Sequence, residues 1–524
     1  MVQEKIEAWY LGVDLGTGSC KSVIVDERAR IIGFGVGDYA AGDAKAKWQE
    51  QDSQAILAGM VRSVRAARAD AGELPAECGG VSLGGALHSV MALDGDGEPL
   101  TEVFTWADGR AVGQALQVRA QRDAGELYQQ TGCPVHGMYP LYKIIWLREN
   151  RPVAFGRAAR FISAKEYVFA RLTGQYWVDY SLAAGTGLLN THALEWHLPA
   201  LELAQVETNQ LSKLCPPTVV HQGMDDILAA EMGLPSDVPV VLGSSDAANS
   251  NLGAGAVHPW QATLMVGTSG ALRFIATQPI LDPRARSWCY AIDEGHWLVG
   301  GAINNGGLAL SWLRDALNRG FPEGSETQLS FEDLLRLAGQ VEPGAGGLFC
   351  LPFFAGERSP YWNLNARGSF LGLTLGHDAR HLARALLEGV AFGFRSLRDV
   401  LDELGGELRE IRASGGFTQS SLWLQVMSSV LNHELSVPAW GETSSLGAAF
   451  WALYALGVIE RIESIADFVP LGDSCQPVLE EVALYDHLYS VYADLYDSLE
   501  SSFDRIAALQ NDQISLRGSR SPSL

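Results

Sequence analysis

The sequence predicts an α/β fold and indicates that the fold is duplicated. Two observations carry this prediction. From position 80 onward, short apolar strands alternate with segments of helical spacing, which is typical of a sheet covered by helices. A glycine-rich turn, 16–19, joins two apolar strands near the start of the chain, and a second such turn, 267–270, restarts the pattern midway. No residue-level repeat links the two hairpins, so the pattern of elements alone indicates the duplication.

The elements follow from hydrophobic periodicity and turn residues. The first half is predicted to open with three antiparallel strands at 9–13, 22–25 and 31–35, followed by a helix at 54–70 and strands at 80–83 and 89–93. The second half is predicted to contain strands at 262–266, 271–275 and 410–413 and helices at 308–317, 379–404 and 421–431. The last residues, 511–524, are polar and aperiodic, which predicts disorder.

Composition excludes several classes of protein. A length of 524 residues predicts roughly two to four domains. The net charge of −23 repels phosphodiester backbones, so nucleic-acid binding is not expected. Seven cysteines without a CxxC pair argue against a disulfide scaffold or a zinc site. The chain opens without the apolar core of a signal peptide, and its longest apolar run, 446–459, is shorter than the ~20 residues that span a bilayer. We therefore expect a cytoplasmic protein without a membrane partner.

A carboxylate lies inside the first apolar strand, shortly before the first glycine-rich turn. Asp14 is costly at a buried position unless it is paired, and a magnesium ion or its waters would pair it. The turn supplies backbone N–H groups and hydroxyls, and Lys21 supplies positive charge, so the hairpin suits an anion. It is not a Walker A loop, because no glycine precedes Lys21. An ordinary hairpin with an exposed Asp14 is the alternative.

Two later glycine turns extend this pattern. The turn 267–270 again lies between apolar strands, and the two hairpins together resemble a pair of sites for one polyphosphate. The segment 414–417 (Ser-Gly-Gly-Phe) joins a predicted strand to a predicted helix, where paired glycines let a flat ring or a phosphate approach the backbone. Taken alone, a plain tight turn explains 414–417 as well.

Asp246 follows an apolar strand at 238–242 and precedes a helix. Aspartate is a favoured helix N-cap, which is one explanation of this position. The other is a general base at the carboxyl edge of a sheet, where ligand sites of α/β proteins cluster. The spacing does not decide between them. The loop positions 87–88 and 106–110 also allow two explanations, a binding role or an ordinary loop. A solvated histidine and an Ala-Asp-Gly turn are both common in loops.

Two longer motifs resemble the signatures of the FGGY carbohydrate kinases. The segment 138–150 (MYPLYKIIWLREN) fits the first signature at every constrained position. The segment 368–388 nearly fits the second and departs from it at Leu386, where the family usually carries a smaller or β-branched residue. The resemblance covers about 9–499, and segments such as 178–183 and 300–307 are most similar to the gluconate kinase branch.

The resemblance implies two actin-like ATPase (ribonuclease H-like) domains with an active-site cleft between them. It assigns 1–254 to an N-terminal domain with the sugar site and the first phosphate hairpin, 255–499 to a C-terminal nucleotide domain, and 500–524 to a disordered polar tail. By similarity Asp14 would bind magnesium and Asp246 would be the catalytic base. The implied substrate-binding positions are Leu87, His88, Asp108, Met138 and Asp246. The implied nucleotide-binding positions are Gly18, Ser19, Lys21, Thr268, Gly307, Ser311, Gly416 and Ser420.

The expected function is ATP- and Mg²⁺-dependent phosphorylation of a sugar or sugar acid at its terminal hydroxyl, with D-gluconate as the best candidate. A xylulose or other ketose or polyol kinase is the alternative within the family. A chaperone- or actin-like ATP-driven binding protein is the alternative from another class. The expected partner is therefore a small-molecule sugar or sugar acid, and a homodimer is left open as the assembly. Arg110 or Lys165 is expected to pair the substrate carboxylate, because they are the cations nearest the sugar segments in sequence.

Overall fold

A computed structural model describes residues 7–39, 48–75, 77–320, 322, 328–405 and 408–518. The chain divides into two compact units, and neither is continuous in sequence. Unit 1 contains residues 1–259, 274–299 and 440–470. Unit 2 contains residues 260–273, 300–439 and 471–524. The units therefore differ from a linear division after residue 254, because two later segments belong to unit 1.

Strands and helices alternate along most of the chain. The strands are β1 (Ala8–Leu15), β2 (Ser19–Asp26), β3 (Ile31–Asp38), β4 (Glu50–Gln51), β5 (Glu77–Gly85), β6 (Met91–Leu93), β7 (Val103–Phe104), β8 (Arg160–Ile162), β9 (Trp177–Asp179), β10 (Leu189–Asn190), β11 (Glu195–Trp196), β12 (Lys213–Cys215), β13 (Val220–Gln222), β14 (Pro239–Val241), β15 (Gln261–Val266), β16 (Gly270–Ala276), β17 (Trp288–Ala291), β18 (Trp297–Ile303), β19 (Phe349–Leu351), β20 (Ser369–Leu371), β21 (Glu410–Ser414), β22 (Leu435–Pro438) and β23 (Leu471–Cys475).

The helices are α1 (Ser53–Ala71), α2 (Val112–Gln121), α3 (Ala124–Thr131), α4 (Pro140–Asn150), α5 (Pro152–Arg157), α6 (Ala164–Thr173), α7 (Tyr180–Ala184), α8 (Leu198–Ala204), α9 (Asp226–Met232), α10 (Asp246–Gly253), α11 (Gly307–Asn318), α12 (Phe331–Ala338), α13 (Ala379–Gly405), α14 (Ser421–Leu431), α15 (Thr443–Ala455) and α16 (Leu479–Gly518). Single turns of 3₁₀ helix lie at Thr208–Gln210, Ala345–Gly347 and Gly416–Gln419, and a longer one at Ile462–Phe468.

Two large sheets share one local order of strands. The first has the order β13-β14-β5-β1-β2-β3, and the second has the order β17-β18-β16-β15-β21-β22-β23. In each sheet the first strand of the glycine hairpin lies beside a parallel strand that returns later in the chain: β1 beside β5, and β15 beside β21. A further parallel strand follows, β14 in the first sheet and β22 in the second. This shared order confirms the predicted α/β class and supports the duplication.

The core of unit 1 surrounds β1, in which every residue is buried. Helix α15 packs on this strand although more than 400 residues separate them in sequence. A Cβ on Gly12 would lie only 2.3 Å from the carbonyl oxygen of Ser445 and 2.4 Å from the amide of Ala449, so the close approach requires glycine. This contact explains why 440–470 belongs to unit 1.

The predicted opening strands are confirmed, since β1, β2 and β3 pair antiparallel in sequence order. The helices predicted at 54–70, 308–317, 379–404 and 421–431 correspond to α1, α11, α13 and α14. Among the described residues, no helix combines the length and apolar character needed to cross a membrane.

The predicted disorder of the C-terminal tail needs correction. Helix α16 continues to Gly518, although the disordered tail was predicted from residue 500. Phe503 and Ala507 lie one helical turn apart and are both buried, and the Phe503 ring contacts Phe353 edge-on at 6.3 Å. Apolar residues at this spacing stabilise the helix by packing on the core. Residues 519–524 lie outside the described part of the chain.

Candidate active site

Three parallel strands of unit 1 bring predicted site residues to one edge of the first sheet. Strands β14, β5 and β1 are neighbours and run parallel. Asp14 lies at the carboxyl end of β1, Leu87 follows β5, and Asp246 follows β14. Because parallel strands place their carboxyl ends at the same edge, the loops after them form one site. The backbone amide of Leu87 donates to the Asp246 carboxylate at 3.3 Å, which links a predicted substrate residue to the predicted base.

The structure bears on one of the two explanations of Asp246, that it caps a helix. Ser245 is the N-cap of α10, since its hydroxyl accepts from the amide of Ala248 at 3.3 Å. Asp246 is the first residue of the helix, and its half-buried carboxylate accepts from the amide of Ala247 at 2.8 Å and from Leu87. Asp246 is therefore not the helix cap. A carboxylate at this edge of the sheet has the character of a base that meets a ligand.

Asp14 is buried beside Asp246. Burial, and then the negative charge of Asp246, raise the pKa of Asp14 to about 7, and Lys21 opposes this rise. The Oδ1 atom of Asp14 is buried and has no hydrogen-bond partner among the described residues. An unsatisfied carboxylate oxygen of this kind suits a hard cation such as Mg²⁺, which takes one or two carboxylates and completes its shell with water and phosphate oxygens. Within the described ranges, no three His, Cys, Asp or Glu side chains form a metal-binding cluster.

The first glycine hairpin is a tight turn beside these carboxylates. The amide of Gly16 donates to the carbonyl of Ser19 at 3.1 Å, and Gly18 accepts from the amide of Tyr39 at 3.1 Å. Gly18, Ser19 and Lys21 are partly exposed, as residues that meet a ligand must be. The Trp106 indole donates to the Thr17 hydroxyl at 3.1 Å and so fixes the turn to a predicted substrate loop.

Lys21 has a partner that the sequence did not indicate. Its ammonium lies 2.7 Å from the carboxylate of Glu442, and both side chains are a little over one-third exposed. Glu442 directly precedes α15 and is 421 residues away in sequence. No local pattern could have identified this pair, because it depends on α15 packing against β1. A partly exposed ion pair contributes only about 0–1 kcal/mol, so a phosphate can compete for Lys21.

His88 has a constrained backbone and a crowded ring. Its φ of 65° lies in the left-handed region, which non-glycine residues rarely adopt. Its ring packs edge-on against Tyr139 at 5.0 Å and Tyr290 at 5.8 Å, and its Nδ1 lies 2.6 Å from the carbonyl oxygen of Gly185. Met138 is buried directly before Tyr139. The predicted substrate positions His88 and Met138 thus belong to one packed wall, to which Tyr290 contributes without any signal in the sequence.

The two cations expected to pair a substrate carboxylate both have carboxylate partners in the protein. Arg110 binds Asp108 at 2.7 Å and Glu50 at 2.6 Å and lies over the Phe104 ring at 3.7 Å. Lys165 lies 2.7 Å from Asp179, and both side chains are buried. The expectation for Arg110 and Lys165 is therefore not supported, since taking either from its partner would leave a buried carboxylate uncompensated.

Unit 2 brings the second glycine hairpin to the start of α11. The carbonyls of Gly267 and Thr268 accept from the amides of Gly307 at 2.7 Å and Leu308 at 3.0 Å. Thr268 is exposed, and Gly307 and Ser311 are partly exposed. The Ser311 hydroxyl donates to the Gly307 carbonyl within the helix at 3.0 Å. The hairpin and the first turn of α11 thus form one surface that contains three predicted nucleotide positions.

The paired glycines after β21 have different surroundings. Gly415 has a φ of 94°, and a Cβ there would lie 2.4 Å from the Val266 carbonyl oxygen, so the fold itself requires glycine. A Cβ on Gly416 would meet no atom of the described residues within 4 Å. The packing of the described residues therefore does not require glycine at this position, and the space beside it is open. Ser420 is the N-cap of α14 and accepts from the amide of Trp423 at 3.2 Å.

Glu357 connects the loop before α11 to the segment 355–358. Its carboxylate accepts from the backbone amides of Asn304 at 2.6 Å and Arg358 at 2.8 Å. The Asn305 side chain bonds the same segment, with its amide on the Gly356 carbonyl at 2.9 Å. Burial raises the pKa of Glu357 to about 7 although these donors and Arg358 oppose the rise. This supporting position of Glu357 could not be predicted from the sequence, because it depends on how the loops fold.

Comparison with known proteins agrees with this architecture. The model of the FGGY family of carbohydrate kinases, N-terminal domain, matches residues 9–253, and the C-terminal domain model matches residues 262–456. A gluconokinase of Bacillus subtilis is 35% identical over 511 residues, which cover 97% of this chain and 99% of that protein.

Two solved structures have the same fold at nearly full length. The gluconate kinase from Lactobacillus acidophilus superposes with a TM-score of 0.89 at 31% identity and covers 95% of this chain and 99% of that one. The ligand-bound xylulose kinase from Lactobacillus acidophilus has the same TM-score and identity, with coverage of 95% and 100%. Both family models match, and so does a relative over nearly its full length. This chain therefore belongs to the FGGY family of carbohydrate kinases.

Proposed function

We propose that this carbohydrate kinase transfers the γ-phosphoryl group of ATP to the terminal hydroxyl of a sugar acid, and that D-gluconate is converted to 6-phospho-D-gluconate. The contact between the Leu87 amide and the Asp246 carboxylate, beside buried Asp14, carries the proposal. A carboxylate that could accept a proton thus lies next to a predicted sugar segment and next to an oxygen that suits a cation. The gluconokinase name of a relative that is 35% identical supports the choice of acceptor.

Asp246 would act as the general base. The acceptor hydroxyl would donate to its carboxylate, and the proton would pass to Asp246 as the oxygen bonds to phosphorus. Phosphoryl transfer has a loose transition state, so the base mainly orients the hydroxyl and the surroundings stabilise charge. The Leu87 amide fixes the direction of the carboxylate and limits its movement.

Asp14 would hold Mg²⁺ through Oδ1, which has no partner in the part of the chain that the structure describes. When bound, the ion would neutralise charge on the transferring phosphoryl group. Gly18 and Ser19 would donate hydrogen bonds to phosphate oxygens, and Lys21 would exchange Glu442 for a phosphate.

The nucleotide would be bound by unit 2 residues. Thr268 and Gly307 lie on the exposed hairpin surface and would bind phosphates. Gly416 leaves open space for the adenosine ring system. Ser311 and Ser420 already make backbone hydrogen bonds through their hydroxyls, so we assign them the adenosine side of the site rather than the reacting phosphate.

A specific observation favours xylulose as a second candidate. Arg110 and Lys165 are paired within the protein, so neither offers its charge to a substrate carboxylate. A neutral ketose would not need such a cation. The solved gluconate kinase and the solved xylulose kinase resemble this chain equally, so the two structures favour neither acceptor.

The test is release of ADP, measured by a coupled assay with D-gluconate, other aldonates, xylulose and glycerol as acceptors and with a control that lacks sugar. We expect turnover to depend on added sugar and kcat/KM to be highest for gluconate. A higher kcat/KM for xylulose or glycerol would overturn the gluconate assignment. Turnover that is independent of every acceptor would instead indicate an ATP-driven binding protein.

A further inference from the structure

Lys143 is a fully buried lysine near the start of α4, and its ammonium group binds two backbone carbonyls. Its Nζ atom donates to the carbonyl oxygen of His88 at 2.8 Å and to that of Thr105 at 2.6 Å. The side chain has no exposure to solvent. A buried charge is costly, so a lysine that makes these contacts calls for an explanation beyond packing.

The two carbonyls belong to the two segments that carry the predicted substrate residues. One segment contains Leu87 and His88, and the other runs from Thr105 to Asp108. The segments are joined at Val90 and Phe104, whose backbones exchange hydrogen bonds of 3.0 and 2.8 Å. Lys143 bridges the two segments close to this pair, since His88 lies two residues before Val90 and Thr105 directly follows Phe104.

Both bridged residues are connected to groups that would meet substrate. His88 directly follows Leu87, whose amide binds the Asp246 carboxylate. The carbonyl of Thr105 also accepts from the amide of Asp108 at 3.1 Å, so the ammonium holds the turn that carries Asp108. The left-handed φ of His88 makes this backbone sensitive to loss of a contact, because such a conformation persists only where its surroundings enforce it.

We propose that Lys143 is a positioning residue that holds segments 87–88 and 105–108 at a fixed separation, so that the acceptor hydroxyl is aligned with Asp246. This inference rests on the proposed function only in assigning those segments to the acceptor.

Burial works against a charged lysine at this position, so packing does not account for Lys143. Burial lowers the pKa of Lys143 to about 7, the charge of Asp108 opposes this change, and the charge of Arg110 adds to it. A methionine of similar length would avoid the cost of the buried charge but would leave two carbonyls without their donor.

The test compares the KM values of Lys143→Met for acceptor and for ATP. We expect kcat/KM for the acceptor to fall by about 10²-fold, the scale of a misplacement of about 1 Å. The KM for ATP and the ATP hydrolysis measured without sugar should change much less, because the bridged segments carry the acceptor positions themselves and meet the predicted phosphate turn through the contact of Trp106 with Thr17. Lys143→Arg keeps donors at this position, so its acceptor kcat/KM should lie between those of the wild type and Lys143→Met.

Asp26→Asn is the matched control. Asp26 is buried in unit 1 and accepts hydrogen bonds from Arg30, and it lies at the end of the β1–β2 hairpin opposite the turn. This variant should lower Tm without changing the ratio of the two KM values. The assays use whichever acceptor the wild type phosphorylates, so failure of the gluconate assignment does not affect this test.

Two results would overturn the proposal. One is an acceptor kcat/KM within about twofold of wild type in folded Lys143→Met, and the other is a rise in the KM for ATP as large as the rise in the KM for the acceptor. If Lys143→Met does not fold, Lys143→Arg is judged in the same way, and an unchanged acceptor kcat/KM rejects the positioning role.

Discussion

The hydroxyl of Ser245 accepts a hydrogen bond from the amide of Ala248 and so caps helix α10. Because Ser245 is the cap, Asp246 is not needed to start α10, and its proposed role as base can be tested separately from helix stability.

Asp246→Asn should lower kcat by about 10²–10⁴-fold, since general-base catalysis contributes on that scale. Tm and the KM for ATP should stay near wild type, because the cap remains. Ser245→Ala is the control and should have the opposite profile, with a loss of about 1 kcal/mol of stability and a smaller effect on kcat. A folded Asp246→Asn variant within about tenfold of wild-type turnover, less than the general-base range, would remove Asp246 as the base.

Gly416→Val should raise the KM for ATP by about tenfold, which corresponds to roughly 1.4 kcal/mol of lost binding. Its side chain would enter space that no protein atom occupies, so circular dichroism should show an intact fold. Gly415→Ala provides the contrast: its Cβ would contact the Val266 carbonyl at a left-handed φ, so stability should fall. An unchanged KM for ATP in folded Gly416→Val would mean that Gly416 does not contact nucleotide.

Lys21→Met should raise the KM for ATP, because the variant loses the positive charge beside the phosphate hairpin. Tm should change little, since the partly exposed pair with Glu442 contributes only about 0–1 kcal/mol. Lys213→Met is the control, because Lys213 is exposed on β12 and lies 6.0 Å from the Trp177 ring. Equal KM values for ATP in the two variants would refute a phosphate contact by Lys21.

Glu357 should make the stability of the enzyme depend on pH. Its pKa is raised by burial from 4.5 to about 7, so the folded state binds a proton that the unfolded state releases over this range. The stability that this group contributes is therefore present below about pH 4.5 and is lost as the pH rises through about 7. Thermal unfolding of wild type and Glu357→Gln should show wild type losing stability relative to the variant as the pH rises. A constant or opposite difference would contradict this assignment.

Local features of the sequence predicted the fold and the strand-end positions of the site. Alternating apolar residues and a glycine turn identify β1 and β2, and Asp14 is recognisable because a carboxylate interrupts a buried strand. Asp246 could be placed after a strand, but its role could not be decided. Serine and aspartate both cap helices well, and only the folded backbone identifies Ser245 as the cap.

Relationships between distant segments could not be predicted. Arg110 and Lys165 resembled substrate ligands because they are close to the sugar segments in sequence, and their partners became visible only in the fold. Glu442 reaches Lys21 because α15 packs on β1. The prediction of a disordered tail from residue 500 was wrong for a related reason, because burial of Phe503 depends on residues more than 100 positions away.

The gluconate assignment is tested most directly by competition between two acceptors for limiting ATP. With D-gluconate and xylulose at equal concentrations, the ratio of the two phosphorylated products gives the ratio of their kcat/KM values. We predict that 6-phosphogluconate is the dominant product and that Asp246→Asn abolishes formation of both esters on the same time scale. A dominant pentulose phosphate would contradict the account.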